Sequence, residues 1–209
     1  MMNQCLFCQL EEIRADILLE SENFFVKVGI WILAPGHVMV ITKEHMPCFA
    51  ELPHNLIEEF TLIKNQTFEK LKSIFFEPII YEHGVYGQSI NHAHLHFLPK
   101  RNQHFPPLSG FIMENIKDKI FHGMDYTRIS NMFDIADVYG NEGSYFYLEE
   151  KNDKFVFHTK NKPAGKFIFR KEFARLTGLH GLANWKIMTE EEKKRDKQWI
   201  DITKMAFGK

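Results

Sequence analysis

The sequence predicts an α+β fold, an antiparallel sheet carrying one long packing helix, and three stretches predict it. Phe24 to Val28 and Val38 to Thr42 are runs rich in β-branched and aromatic residues, separated by a segment carrying Pro35-Gly36, and read as paired strands. From Leu52 to about Ile74, the residues Leu56, Phe60, Ile63, Thr67, Leu71 and Ile74 recur at spacings of three and four, the period of a helix. Between Gly87 and Pro99, His92, His94 and His96 alternate with Ala93, Leu95 and Phe97. That period of two in a strand sends the imidazoles to one face and the apolar residues to the other, so one face is chemistry and the other is core.

Composition bounds the function. With 209 residues, 44% of them hydrophobic, the chain can bury the core of one domain or of one domain with a large appendage. A net charge of −1 exerts no global pull on a polyanion, which argues against nucleic-acid wrapping and membrane adhesion; any anion site must be local. Met1 to Leu10 lacks the basic region and apolar run of a secretory signal, and no later stretch reaches membrane-spanning length. A soluble, cytoplasmic protein is expected. Three cysteines make no disulfide framework.

Taken in order, Cys5-Leu6-Phe7-Cys8 is a CxxC that alone fits a zinc half-site, a redox pair or two structural cysteines. A redox pair needs a preceding strand, for which four residues leave no room. Zinc needs two further ligands, and His45 and His92 are the candidates. In the 52–74 helix Pro53 suits the first turn, Glu58 and Glu59 sit early, and Lys70 and Lys72 sit late, as the macrodipole prefers. Glu77-Pro78 breaks it, Ile79 to Glu82 starts the next strand, and Glu82-His83-Gly84 opens the loop into the histidines. That final strand ends at Pro99, where the ladder loses a donor.

A basic, irregular segment from Lys100 to Pro107 divides the chain into a core of 1–107 and an α+β extension of 108–209. In the extension, Gly143 to Leu148 and Lys154 to His158 form a hairpin, and Pro163 starts a helix with Phe169, Phe173 and Leu176 on one face. Thr189 and Glu192 form a capping box ahead of a last helix with Trp199 and Met205 inward. Lys160, Lys162, Lys166, Arg170 and Lys171 read either as an exposed basic face or as an anion site folded over the histidines.

The run His92-Ala93-His94-Leu95-His96-Phe97-Leu98 resembles the signature of the histidine triad (HIT) superfamily of nucleotidyl hydrolases and transferases. Ala34-Pro35-Gly36-His37, followed by an apolar strand and Lys43-Glu44-His45, resembles its second segment, with Thr42 where proline is usual. The resemblance covers about the first half of the chain. It implies that His94 attacks the α-phosphate of a nucleotide or dinucleotide, forming a nucleotidyl-histidine, and that the His92 carbonyl orients that ring. It also implies that His96 and Ser89 touch phosphate or assist the leaving group, that Gln88 orients the phosphate, and that His37 supports the site. Neutral imidazole can attack phosphorus near neutral pH, and the backbone N–H groups of Gly87 to Ser89 are candidate donors to the phosphate oxygens. The resemblance further implies a structural zinc on Cys5, Cys8, His45 and His92, and a homodimer unless the extension replaces the partner. Two features depart from the pattern. Gly29 stands near the position of a ribose-binding Asp, and Glu82 near that of a phosphate-binding Asn, where a carboxylate would repel an anion. The competing readings are a nucleotide-binding regulator with little turnover, and a deadenylating enzyme acting on nucleic acid ends.

Overall fold

The computed structural model describes residues 5–100, 109–110, 124–158, 168–176 and 188–209. Its elements in chain order are α1 (Leu10–Ile13), β1 (Ile17–Glu20), β2 (Phe24–Val28), β3 (Val38–Thr42), α2 (Ile57–Ile74), β4 (Pro78–Glu82) and β5 (His94–Pro99). There follow β6 (Asp125–Ile129), α3 (Ile135–Glu142), β7 (Phe146–Glu150), β8 (Asp153–His158), α4 (Ile168–Leu176) and α5 (Glu190–Ala206). The fold is α+β, with every strand pair antiparallel in the order β1-β2-β3-β5-β4-β7-β8-β6.

The sheet does not stop at the end of the first half. β7 pairs with β4 through Ile80 with Glu149, Tyr81 with Leu148 and Glu82 with Tyr147, so the hairpin of the extension continues the same sheet. α2 lays Phe60, Ile63 and Leu71 in one core cluster with Val40, Leu95 and Phe97. A second cluster gathers Ile79, Tyr81, Leu98 and Leu148 with Phe169 and Phe173 of α4. The last helix, α5, is tied to the first half by buried hydrogen bonds. Asp196 Oδ1 accepts from the Ile32 amide at 2.8 Å, and Thr203 Oγ1 accepts from the Gly36 amide at 2.8 Å.

The expected capping box of α5 is present, with Thr189 and Glu192 each accepting from the other's backbone N–H. Two inward assignments are corrected. Met205 is 67% exposed, because Asp196, Trp199, Thr203 and Phe207 make the inner stripe and two residues along a helix is more than half a turn. Ile74 is 45% exposed at the end of α2, where Phe75 packs on the core instead. The helix itself begins at Ile57, after a single 3-10 turn at His54–Leu56.

The histidine strand is also shorter than expected. It begins at His94, while His92 lies in a bend whose amide pairs with the Ile90 carbonyl and whose neighbour Ala93 donates to the Met46 carbonyl. Only His94 and His96 therefore share a strand face, and His92 is free to serve elsewhere. Ala93, Leu95 and Phe97 are buried in the core as the alternation requires.

Candidate active site

β5 lies between β3 and β4, with Ile41 opposite His94 and both Met39 and Tyr81 opposite His96. The His94 and His96 rings stand 5.0 Å apart. Hydrogen bonds assign their tautomers. The His92 carbonyl can only accept, so His94 Nδ1, 2.6 Å away, carries the proton and donates, and Nε2 keeps its lone pair. His37 precedes β3, is 1% exposed, and accepts the Leu33 amide on Nδ1 at 3.2 Å. Neutral His37 therefore has its proton on Nε2, which donates to His96 Nδ1 at 3.1 Å. His96 is left with a protonated Nε2. Tyr81 stacks on the His96 ring at 4.4 Å and 9°, holding its plane.

Burial keeps these rings neutral. Desolvation pushes His37 down to about 3 and His94 to about 4, the latter partly opposed by its bond to the His92 carbonyl. His96 is lowered well below the ordinary imidazole value by burial and by the charges of its neighbours, Arg170 among them. The pair thus offers one nucleophilic nitrogen and one hydrogen-bond donor, side by side and uncharged.

Both face a cavity of about 350 Å³. Its lining mixes polar residues, His83, Ser89, His94, His96 and Arg170, with apolar and aromatic ones, among them Leu6, Phe7, Trp31 and Tyr81. A mostly apolar cavity with a few polar groups is the ordinary form of a small-molecule site. Two non-glycine residues in the left-handed region lie here, Trp31 at φ 53° on the wall and Val85 at φ 70° in the loop leading to Gly87. Such strain is held only where surrounding structure enforces it.

The expected site residues divide. Ser89, Gly87, His94 and His96 line the cavity, and Arg170 reaches it from α4. Lys166 lies outside the described residues. Gln88 points elsewhere, donating to the Pro47 carbonyl at 3.2 Å and to Asn91 Oδ1 at 2.9 Å. Glu82 is on the opposite side of β4 from Tyr81. Its carboxylate accepts from the Phe49 amide at 2.8 Å and from the Tyr145 hydroxyl at 2.5 Å, so it meets no bound anion.

Residues 11–103 match the family model described as the HIT domain. An uncharacterized HIT-like protein of Methanocaldococcus jannaschii is 33% identical over 101 residues, covering 46% of this chain and 78% of that protein. The chain belongs to the HIT family. An adenosine 5'-monophosphoramidase of Saccharomyces cerevisiae is 24% identical, covering 47% of this chain and 64% of that protein. An asymmetrical bis(5'-nucleosyl)-tetraphosphatase of Schizosaccharomyces pombe is 34% identical over 82 residues, covering 37% and 45%.

Beside the histidine pair this HIT protein gathers Cys5, Cys8, His45 and His92, whose ligand atoms all lie within 4.8 Å of one another. Cys5 Sγ is 3.3 Å from His92 Nδ1, and Cys8 Sγ is 3.4 Å from His45 Nδ1 and 3.6 Å from His92 Nδ1. The S···N edge of a tetrahedral zinc site is about 3.6 Å for ordinary Zn–S and Zn–N bonds, so the donor set and spacing fit that ion. His92 Nε2 lies 2.7 Å from the Thr42 carbonyl and donates to it, which leaves the Nδ1 lone pair for the cluster. Burial and the neighbouring Cys5 push the Cys8 thiol up to about 11. Phe7, inside the CxxC, meets the His92 ring edge-on at 5.7 Å and the His94 ring at 5.4 Å. The cluster and the catalytic candidate thus share a wall.

Among the described residues, the HIT site also contains groups that local reading did not single out: Tyr81, Trp31, Phe7 and His83. For two of them the sequence signal is the alternation of Tyr81, in β4, with His83, directly after it. That signal acquires meaning only once β4 is known to pair with β5.

Proposed function

We propose that the chain is a nucleotidyl hydrolase or transferase that cleaves a nucleoside monophosphate from a phosphate, phosphoramidate, dinucleotide or nucleotide-sugar linkage. The observation that carries this reading is the His94 Nδ1 bond to the His92 carbonyl at 2.6 Å, which leaves Nε2 with a lone pair beside the cavity. The named activities of two relatives, a monophosphoramidase and a dinucleoside tetraphosphatase, support it. In the first step His94 Nε2 bonds to the α-phosphorus, and the bond to the leaving group breaks with its electron pair, which takes a proton from solvent at that oxygen or nitrogen. Positive charge on the ring is spread toward the His92 carbonyl through Nδ1–H. In the second step water, giving up a proton to solvent, or an acceptor phosphate attacks phosphorus, and the P–N bond breaks with its electron pair returning to Nε2. His96 Nε2–H and the Arg170 guanidinium offset the charge that grows on the phosphoryl oxygens.

Cys5, Cys8, His45 and His92 would hold zinc, and with four protein ligands and no position for water it would supply a structural crosslink. That crosslink would fix Leu6 and Phe7 on the cavity wall and His92, whose carbonyl orients His94.

The test mixes the protein with a panel of dinucleotides, nucleotide sugars and phosphoramidates and searches by mass spectrometry for covalent nucleotide. An adduct on His94, absent from a folded His94→Ala variant that has lost turnover, is the expected result. Unchanged turnover by His94→Ala overturns the mechanism. Tight mononucleotide binding without turnover or adduct favours the regulatory reading instead.

A further inference from the structure

His83 sits directly after β4, is 7% exposed, and lines the same cavity as His94 and His96. Neither of its ring nitrogens has a hydrogen-bond partner among the described residues. Its ring is walled by Tyr81 at 5.7 Å, Phe146 at 5.7 Å and Phe169 at 6.2 Å, all presented edge-on, which supply no strong acceptor. A buried imidazole with both polar atoms unpartnered forfeits hydrogen bonds that water would have made, which a polar ligand would restore. A buried polar group left in that state calls for an explanation.

The neighbours say what the ligand atom is. One ring nitrogen from each of His83, His94 and His96 lies within 4.8 Å of the other two. At that upper limit an atom centred in the triangle stands about 2.8 Å from each corner, within hydrogen-bond length of an oxygen. A transition metal would need a lone pair on every nitrogen. His96 cannot meet that demand, because its Nδ1 accepts from His37 and its Nε2 keeps the proton. His83 and His96 can each donate to an oxygen there, while His94 Nε2 keeps its lone pair for phosphorus, so the cradle suits a phosphoryl group.

We propose that His83 is a further substrate-contacting residue, donating a hydrogen bond to a nonbridging oxygen of the nucleotide phosphate while His96 donates beside it. With neither nitrogen engaged, His83 adopts whichever tautomer turns an N–H toward the cavity. The assignment rests on the nucleotide reading above and adds to it a donor that comes from outside the triad. It places His83 next to the reacting atoms, in the cavity it shares with His94 and His96.

Calorimetry separates this claim from that reading. The four common ribonucleoside monophosphates are titrated into wild-type protein, and the tightest is paired with its own nucleoside. In His83→Phe, which keeps the aromatic packing and removes both nitrogens, the monophosphate is expected to weaken about tenfold and the nucleoside by less than twofold. His83→Asn, which returns an N–H donor, recovers part of the loss. Should His83→Phe fail to fold, His83→Leu carries the same comparison. Equal weakening of both ligands, or of neither, overturns the role of His83 while leaving the nucleotide reading intact. Wild-type protein that binds no monophosphate more tightly than its nucleoside overturns both.

Discussion

His37 and His96, 59 positions apart, are joined ring to ring by a 3.1 Å hydrogen bond. The Leu33 amide holds His37 in the tautomer that donates, and His37 in turn holds His96 in the tautomer whose outer nitrogen is a donor. A backbone N–H thereby sets the proton pattern of the cavity through the buried ring of His37 and the half-buried ring of His96.

His37→Ala removes the relay without touching the cavity wall. The expected result is a fall in kcat of about 10- to 100-fold with KM changed less than threefold, as for other groups that orient a ligand or catalytic ring. Nitrogen chemical shifts of His96 report the cause directly: they move from a single tautomer to a mixture. Unchanged shifts with a lowered kcat would assign His37 a merely structural role.

The pH profile follows from burial. His94 acts through a lone pair that protonation removes, and desolvation depresses its pKa to about 4. On the proposed mechanism kcat/KM is flat from pH 8 to about 5 and falls only below that. A break near 6.5, the ordinary imidazole value, would show that the nucleophile is solvated or is another group.

The cysteine and histidine cluster is expected to carry about one zinc per chain when the protein is purified without a histidine tag. Cys8→Ser should lower that content severalfold, and chelation of the wild type should lower Tm and expose Phe7 to solvent, because Phe7 packs against His92. Elemental analysis and thermal melts check both. Metal content unaltered in a Cys5, Cys8 double variant removes the ligand set.

Glu82 gives the fold a pH dependence of its own. Burial raises its carboxyl from 4.5 to about 7, against the pull of hydrogen bonds from Tyr145 and the Phe49 amide. Below 4.5 folded and unfolded chains both hold the proton, and the contribution is fully present. Between 4.5 and 7 only the folded chain holds it, so stability falls as pH rises, by up to about 3 kcal/mol across that window. Relative to Glu82→Gln, the wild type should lose urea resistance from pH 4.5 to 7.5; a constant difference between the two would contradict the assignment.

Much of this was legible residue by residue. The alternation of His94 and His96 with Leu95 and Phe97, the helical stripe from Phe60 to Leu71, the capping box at Thr189 and the pairing of Cys5 with Cys8 are all local patterns that short-range geometry turns into structure. Arg170 was marked by the charge around it, and it does reach the cavity. Gln88 misled, since its place beside Ser89 suggested a shared target, yet a bend turns its amide toward Pro47. His92 resembled its two companions, but it precedes the strand, so its ring serves the cysteine cluster and only its carbonyl serves His94.

The amino-acid order by itself determined which face of each segment is polar, where the helices are capped, and that two imidazoles would stand together on an extended stretch. Only the folded chain decided that Tyr81 and His83 share their cavity, that Leu33 sets a tautomer through His37, and that the second half extends the sheet of the first. Periodicity is a property of neighbours along the backbone, whereas strand order and the meeting of side chains across a sheet depend on contacts between residues far apart in the chain, which no single segment encodes.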